Sequence, residues 1–251
     1  MSKKANYSYV GIAFVILIFG IWFVPRIVNR ITNGDTVRND NRSEQVSKTD
    51  FSKDETSDLV FLNINGAPKK VPAFSFTNQH GKTITEQDYL GKVYVVEFFF
   101  TTCPTICPKM NENLVQIQNE FKEFENFGVA SFSIMPETDT PEVLKAYAEK
   151  YGITNPNWNL MTGNQDAIFE LANVGFNIYV GQDETVEAGF EHSGNFALID
   201  KNGFIRSRTD DFGNPKIFYS GIISEAEQVD EDGQKEEISM LKKDIAKLLK
   251  E

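Results

Sequence analysis

Val93-Tyr94-Val95-Val96-Glu97-Phe98-Phe99-Phe100-Thr101-Thr102-Cys103-Pro104-Thr105-Ile106-Cys107-Pro108 contains both cysteines of a 251-residue chain. Its first half is β-branched and aromatic, preceded by Gly91-Lys92, and predicts a buried central strand over Val93 to Phe100. Beyond Pro108 the apolar residues Met110, Leu114, Ile117 and Phe121 recur at helical spacing, the stripe of an amphipathic helix. The unit is therefore strand, cysteine loop, helix. Pro104 and Pro108 each fix φ near the helical value and lack an amide hydrogen, so they suit the start of that helix. Thiols at a helix N-terminus are favoured as thiolates by the unpaired amides and the dipole, which makes them nucleophiles and metal ligands. Four residues of separation is also one helical turn, so the two sulfurs are expected to face one point. The competing reading, two inert buried cysteines, leaves the flanking prolines without a purpose.

Outward from this loop the pattern alternates. Phe74-Ser75-Phe76 and Thr83-Ile84-Thr85 flank Gln79-His80-Gly81-Lys82, a hairpin with His80 facing solvent, and Thr85 to Gly91 forms a short capped turn. The cysteine helix is expected to end near Asn126-Phe127-Gly128, with Gly as C-cap. Val129 to Ile134 is the next strand. Thr140 caps a helix that has Pro141 at its first position and runs to Tyr151-Gly152. Trp158 to Met161 is a short strand, Asn164 to Asn173 a helix, and Phe196 to Asp200 with Phe204 to Arg206 a hairpin about Lys201-Asn202-Gly203. The last helix spans about Lys235 to Lys250, and the acidic stretch Ser224 to Glu237 before it is a solvated loop. This order implies an α/β domain with a mixed central sheet and flanking helices.

At the N-terminus, Ala5 to Pro25 carries no charge, about the length needed to cross a bilayer as a helix, with Tyr7, Tyr9 and Trp22 near its ends. No small-x-small cleavage pattern follows, which favours an uncleaved transmembrane anchor over a signal peptide. The expected organisation is a transmembrane anchor over residues 1–28, a polar flexible linker over 29–58 and one domain over 59–251. A formal net charge of -11 argues against nucleic acid as partner.

The cysteine loop, together with Ser133-Ile134-Met135-Pro136-Glu137-Thr138-Asp139-Thr140-Pro141-Glu142 and Glu191-His192-Ser193, resembles the Sco/SenC family of copper-handling assembly proteins. The similarity runs from about residue 70 to 250. It implies a thioredoxin-like domain on a single N-terminal membrane span, with Cys103, Cys107 and His192 binding one copper ion, Cu(I) or Cu(II). It further implies a chaperone that delivers the metal to the binuclear copper centre of cytochrome c oxidase, so the partner is the copper-accepting subunit. The anchor would lie in the cell inner membrane with the soluble domain on the periplasmic side. The chain departs from the family in having Met135-Pro136-Glu137 where Asp-Pro-Glu is usual, and Glu191 where Asp is common before the histidine.

The donor set has its own logic. Thiolates are soft ligands suited to Cu(I), imidazole accepts either copper state, and three donors leave an open side for transfer. Zinc is the challenger, since a Cys₂His set with water is a catalytic zinc arrangement. His192 follows a Gly-rich, acidic span, Gly181 to Gly189, expected to be a mobile loop, and Glu191 could orient its ring. Met135 offers a thioether, against the plainer reading of core filler. The alternative function is a thiol-disulfide oxidoreductase with Cys103 and Cys107 as its catalytic pair, and His192 is the residue that separates the two readings.

Overall fold

The computed structural model describes residues 59–64, 66–182, 190–209 and 215–251, together with Leu17 and Phe19. The anchor expected over 1–28 apart from Leu17 and Phe19, the linker over 29–58 and most of the 181–189 loop lie outside the described residues. Among the described residues no helix is long and apolar enough to cross a membrane. The second of two compact units, Asp50–Glu251, carries everything that follows.

Its strands are β1 (Val60–Phe61), β2 (Asn63–Ile64), β3 (Ala67–Pro68), β4 (Ser75–Asn78), β5 (Thr83–Thr85), β6 (Val93–Phe99), β7 (Phe127–Ser133), β8 (Trp158–Thr162), β9 (Val180–Gln182), β10 (Phe190–His192), β11 (Asn195–Ile199), β12 (Ile205–Ser207) and β13 (Tyr219–Ser220). The helices are α1 (Ile106–Glu120), α2 (Pro141–Tyr151), α3 (Gln165–Glu170) and α4 (Ile238–Lys250). The main sheet runs β1-β12-β11-β6-β7-β8-β4-β5, with β13 added on β11. β6, β7 and β8 are parallel and the remaining pairings antiparallel, so the sheet is mixed.

Every residue of β6 and of β7 is buried, which requires both faces of the sheet's centre to be covered. The core there is aromatic: Phe132 meets Phe74 edge-on at 5.2 Å and stacks with Phe98 at 5.3 Å. Parallel strands carry their variable loops at their carboxyl ends, and β6 and β7 pair in register through Phe99 and Ser133. The cysteine loop after β6 and the Met135 loop after β7 thus leave the same edge of the sheet.

Local signals explain most boundaries. Thr140 accepts from the Val143 amide at 3.4 Å, Pro141 opens α2, and Gly152 closes it with φ of 70°. Thr85 and Asp88 cap the short turn before β6 through bonds of 2.8 and 3.0 Å. The β11–β12 turn is held by Asp200 Oδ1, which accepts from Asn202 and Phe204 amides at 2.9 Å each. His80 is exposed, as its turn position suggests.

Four expectations are corrected. α1 ends at Glu120 rather than near Gly128, and Gly128 lies inside β7, where a Cβ would stand 2.8 Å from the Asn157 carbonyl oxygen. Close approach of the segment just before β8, not a left-handed cap, selects glycine there. The helix expected over Asn164 to Asn173 has Asn164 as its cap, since its side chain accepts from the Ala167 amide at 2.9 Å, and continues past Glu170 as a π-helical turn, Leu171–Phe176. The last helix starts at Ile238, because Lys235 is drawn into a bridge with Val229. The acidic stretch before it is a loop, but Glu225 ion-pairs with Lys242 and Glu227 with Lys109 at 2.7 Å.

Candidate metal centre

Cys107 is the second residue of α1 and Cys103 lies in the turn before it, its amide donating to the Phe100 carbonyl at 3.3 Å. The two therefore do not share a helical turn, contrary to the spacing argument. What brings their sulfurs together is the tight bend Thr101 to Thr105 at the end of β6.

One buried carboxylate fixes that bend. Asp139, wholly buried, accepts from the Thr101 amide at 3.1 Å, the Thr101 hydroxyl at 2.5 Å and the Ser133 hydroxyl at 2.5 Å. Bonds to an ionised acceptor are the stronger kind, and here three donors from two loops converge on one side chain. On the helix side, Asn111 donates through Nδ2 to the Cys107 carbonyl at 3.0 Å and to the Tyr147 hydroxyl at 2.9 Å.

His192 arrives from another direction, at the end of β10, where it pairs with Val180 of β9. The backbone after it is stitched to the preceding strand by Ser193 N–H donating to the Tyr179 carbonyl at 3.1 Å. Gly194 is required next: a Cβ there would come within 2.1 Å of Ile222 Cγ2. Phe100 packs edge-on against the imidazole with centroids 5.8 Å apart. The ring lies with Nε2 3.1 Å from Cys107 Sγ, although the residues are 85 positions apart.

Cys103, Cys107 and His192 are all buried, and their ligand atoms lie within 4.8 Å of one another. Among the described residues His192 Nδ1 has no hydrogen-bond partner although it is buried. An unsatisfied buried nitrogen is costly, and Nε2 is the ring atom that stands against the sulfurs. The thiols are split in character. A hydrogen bond from Cys107, helped by one from His192, holds Cys103 down to about 3, so it is a thiolate at neutral pH. Burial pushes the Cys107 thiol up, and the Cys103 sulfur beside it adds to the effect. Cys103 is thus the more acidic of the two sulfurs, and two thiolates plus a nitrogen become available once Cys107 also loses its proton. This soft donor set fits Cu(I), and the imidazole also accommodates Cu(II).

Met135 lies past the end of β7 with Thr102 Oγ1 3.9 Å from its Sδ, half-buried at the edge of the core. The side chain of Glu191 is outside the described set. Sequence reasoning missed Asp139, whose position beside a helix cap looks like any surface acid. It also passed over Glu97, although a lone carboxylate inside an apolar strand is a visible signal. Glu97 is wholly buried, accepts from Ser131 Oγ at 2.6 Å, and among the described residues its Oε2 has no partner.

The fold and this side-chain group define a thioredoxin-like α/β protein carrying a thiolate–imidazole donor set. The chain belongs to the SCO1/SenC family, whose sequence model matches residues 63–227. It is 34% identical over 163 residues to the SCO1 protein homolog of Bacillus subtilis, covering 62% of this chain and 80% of that one. A SCO1/SenC family lipoprotein from Bacillus anthracis superposes with TM-score 0.58 at 32% identity, over 72% of this chain and 95% of the other. BsSco, a member of the Sco family of cytochrome c oxidase assembly proteins in which a disulfide switch has been identified, superposes with TM-score 0.56 at 27% identity, over 72% and 94%. ScoI of Arabidopsis thaliana, crystallised with copper bound, shares the fold at TM-score 0.53 and 20% identity, over 72% of this chain and 98% of its own.

Proposed function

We propose that this protein is a membrane-anchored copper-binding chaperone that delivers copper to the binuclear copper site of cytochrome c oxidase, with Cys103, Cys107 and His192 as its ligands. The carrying observation is the convergence of two sulfurs and one imidazole within 4.8 Å. Contacts of roughly 2.0 to 2.3 Å to a common centre suit such a group. Three donors leave a coordination position for a recipient's ligands, so the cargo can leave by exchange. Membership of a family that includes a cytochrome c oxidase assembly protein supports the destination. The Bacillus anthracis lipoprotein supports a tethered domain. The uncharged run Ala5 to Pro25 supports an anchor over 1–28 followed by a linker over 29–58, and membership of the family supports a domain from 59 onward outside the cytoplasm.

The second reading, a thiol-disulfide oxidoreductase, is favoured by the same nearness of the sulfurs and by the disulfide switch of BsSco. The two roles exclude each other at any instant, because a disulfide offers no thiolates to copper. Anaerobic copper titration of the full-length protein, read by sulfur-to-copper charge transfer, tests the first. His192→Ala is expected to weaken copper binding and abolish transfer while leaving disulfide exchange nearly intact. Tight Cu(II) binding in that variant with loss of exchange alone would instead favour the enzyme.

A further inference from the structure

The described methionines fall into two groups. Met110 and Met161 are wholly buried, and Met240 packs on the core from α4, so their sulfurs fill space. Met135 differs in place and in neighbour. It follows β7 at the sheet edge from which the cysteine loop also emerges, and its thioether faces the hydroxyl of Thr102, the residue before Cys103.

Its backbone is held as firmly as that of the cysteine loop and by the same clamp. The Met135 amide donates to Ser133 Oγ at 3.1 Å, and its carbonyl accepts from the Asp139 amide at 2.9 Å. Asp139 in turn binds Ser133 and Thr101. Two loops tied to one carboxylate keep a fixed spacing, while the methionine side chain keeps three rotatable bonds. A thioether so placed is a soft donor in contact with the residue that precedes Cys103, and thioethers select Cu(I).

We propose that Met135 supplies a fourth, thioether ligand to Cu(I) held at Cys103, Cys107 and His192, an inference that rests on the copper reading of that site. The thioether leaves the Thr102 hydroxyl when the cation arrives. Since a thioether adds little for Cu(II), Met135 biases the site toward the reduced ion.

The test uses the full-length reduced protein and Met135→Leu, a volume-conserving change that keeps the fold. Competition with a chromophoric Cu(I) chelator is expected to show about tenfold weaker Cu(I) binding in the variant, with Cu(II) binding unchanged. That ratio lowers the potential of bound copper by about 59 mV for one electron. Independently of any variant, the methyl resonance of Met135 in the wild-type protein is expected to shift on addition of Ag(I), while those of Met161 and Met240 stay in place. Equal Cu(I) affinities, or a Met135 methyl that does not move while metal is bound, would overturn the proposal and leave the three-ligand site standing. A wild-type protein that takes up no Cu(I) would remove the three-ligand reading itself, and this inference with it.

Discussion

Asp139 and Thr101 are 38 residues apart, yet the Asp139 carboxylate accepts both the backbone amide of Thr101 and its hydroxyl, at 3.1 and 2.5 Å. This contact decides where the chain turns on leaving β6, and so where Cys103 stands relative to Cys107. Two residues of the same β7–α2 segment, Ser133 and Met135, share the arrangement.

Removing the carboxylate leaves three buried or half-buried donors without an acceptor. Hydrogen bonds to charged groups are worth about 1.5 to 3 kcal/mol each, and they do not add fully when shared. Asp139→Ala is therefore expected to destabilise the fold by at least about 3 kcal/mol, and Ser133→Ala, which removes one donor, by about 1 to 2 kcal/mol. Urea unfolding of both variants measures this. Equal small losses would show that the loop is held by something else.

Glu97 yields a pH prediction. Burial pushes its carboxyl up to about 7, offset in part by the Ser131 hydroxyl. A carboxyl whose native pKa lies above its unfolded value keeps its proton on folding. Stability is then greatest below the unfolded pKa, near 4.5, and falls as pH rises through about 7. The expected loss is roughly 3 kcal/mol between pH 4.5 and 8. Glu97→Gln cannot ionise, so the decline should be largely absent in it, and the variant should gain on the wild type at pH 8. Denaturant midpoints at pH 5 and 8 for both proteins decide the matter; parallel pH profiles would assign the slope to other groups.

The thiol pair makes a kinetic prediction. With Cys103 held to about 3, its thiolate fraction hardly changes from pH 5 to 8, and its alkylation rate by iodoacetamide should vary by less than about twofold. An ordinary thiol would speed up by roughly a thousandfold over that range. The leading cause is the hydrogen bond from Cys107, so Cys107→Ala should restore a steep pH dependence, whereas Cys107→Ser, which keeps a donor, should leave the profile flat. A steep profile in the wild-type protein would mean that the proton resides on Cys103.

Much of this was legible because it is local. Thr140-Pro141, Lys201-Asn202-Gly203 and the Met110 to Phe121 stripe each encode their own backbone geometry within a few residues, and the structure follows them. Gly128 misled because a glycine needed for close approach looks in sequence like one needed for a left-handed turn. The short β9–β10 pair and β13 carry no periodic signal, since strands of two or three residues are fixed by their partners. His192 stood out in the sequence through the resemblance to a family, because nothing near it in the chain points to Cys107, and Asp139 had no such help.

That distant histidine is followed by a crowded turn. Gly194 sits two residues beyond His192, its carbonyl accepts the Gly221 amide at 2.7 Å, and a Cβ on it would lie 2.1 Å from Ile222 Cγ2 and 3.5 Å from Ile106 Cδ1. Ile106, which opens α1 beside Cys107, stands at ordinary contact distance, so the crowding is against Ile222. Gly194→Ala must therefore push the turn that carries the imidazole away from Ile222, at a cost of about 1 to 3 kcal/mol. Ile222→Ala removes the opposing methyl and alone should cost about 1 kcal/mol, as a half-buried truncation does. In the double variant the two losses should not add: the clash is gone, and the coupling should be favourable by at least about 1 kcal/mol. Copper charge-transfer intensity should follow the same pattern, low in Gly194→Ala and recovered in the double variant. Strict additivity of the unfolding energies, with the optical signal unchanged in all three, would mean that His192 is positioned by the β9–β10 pairing alone.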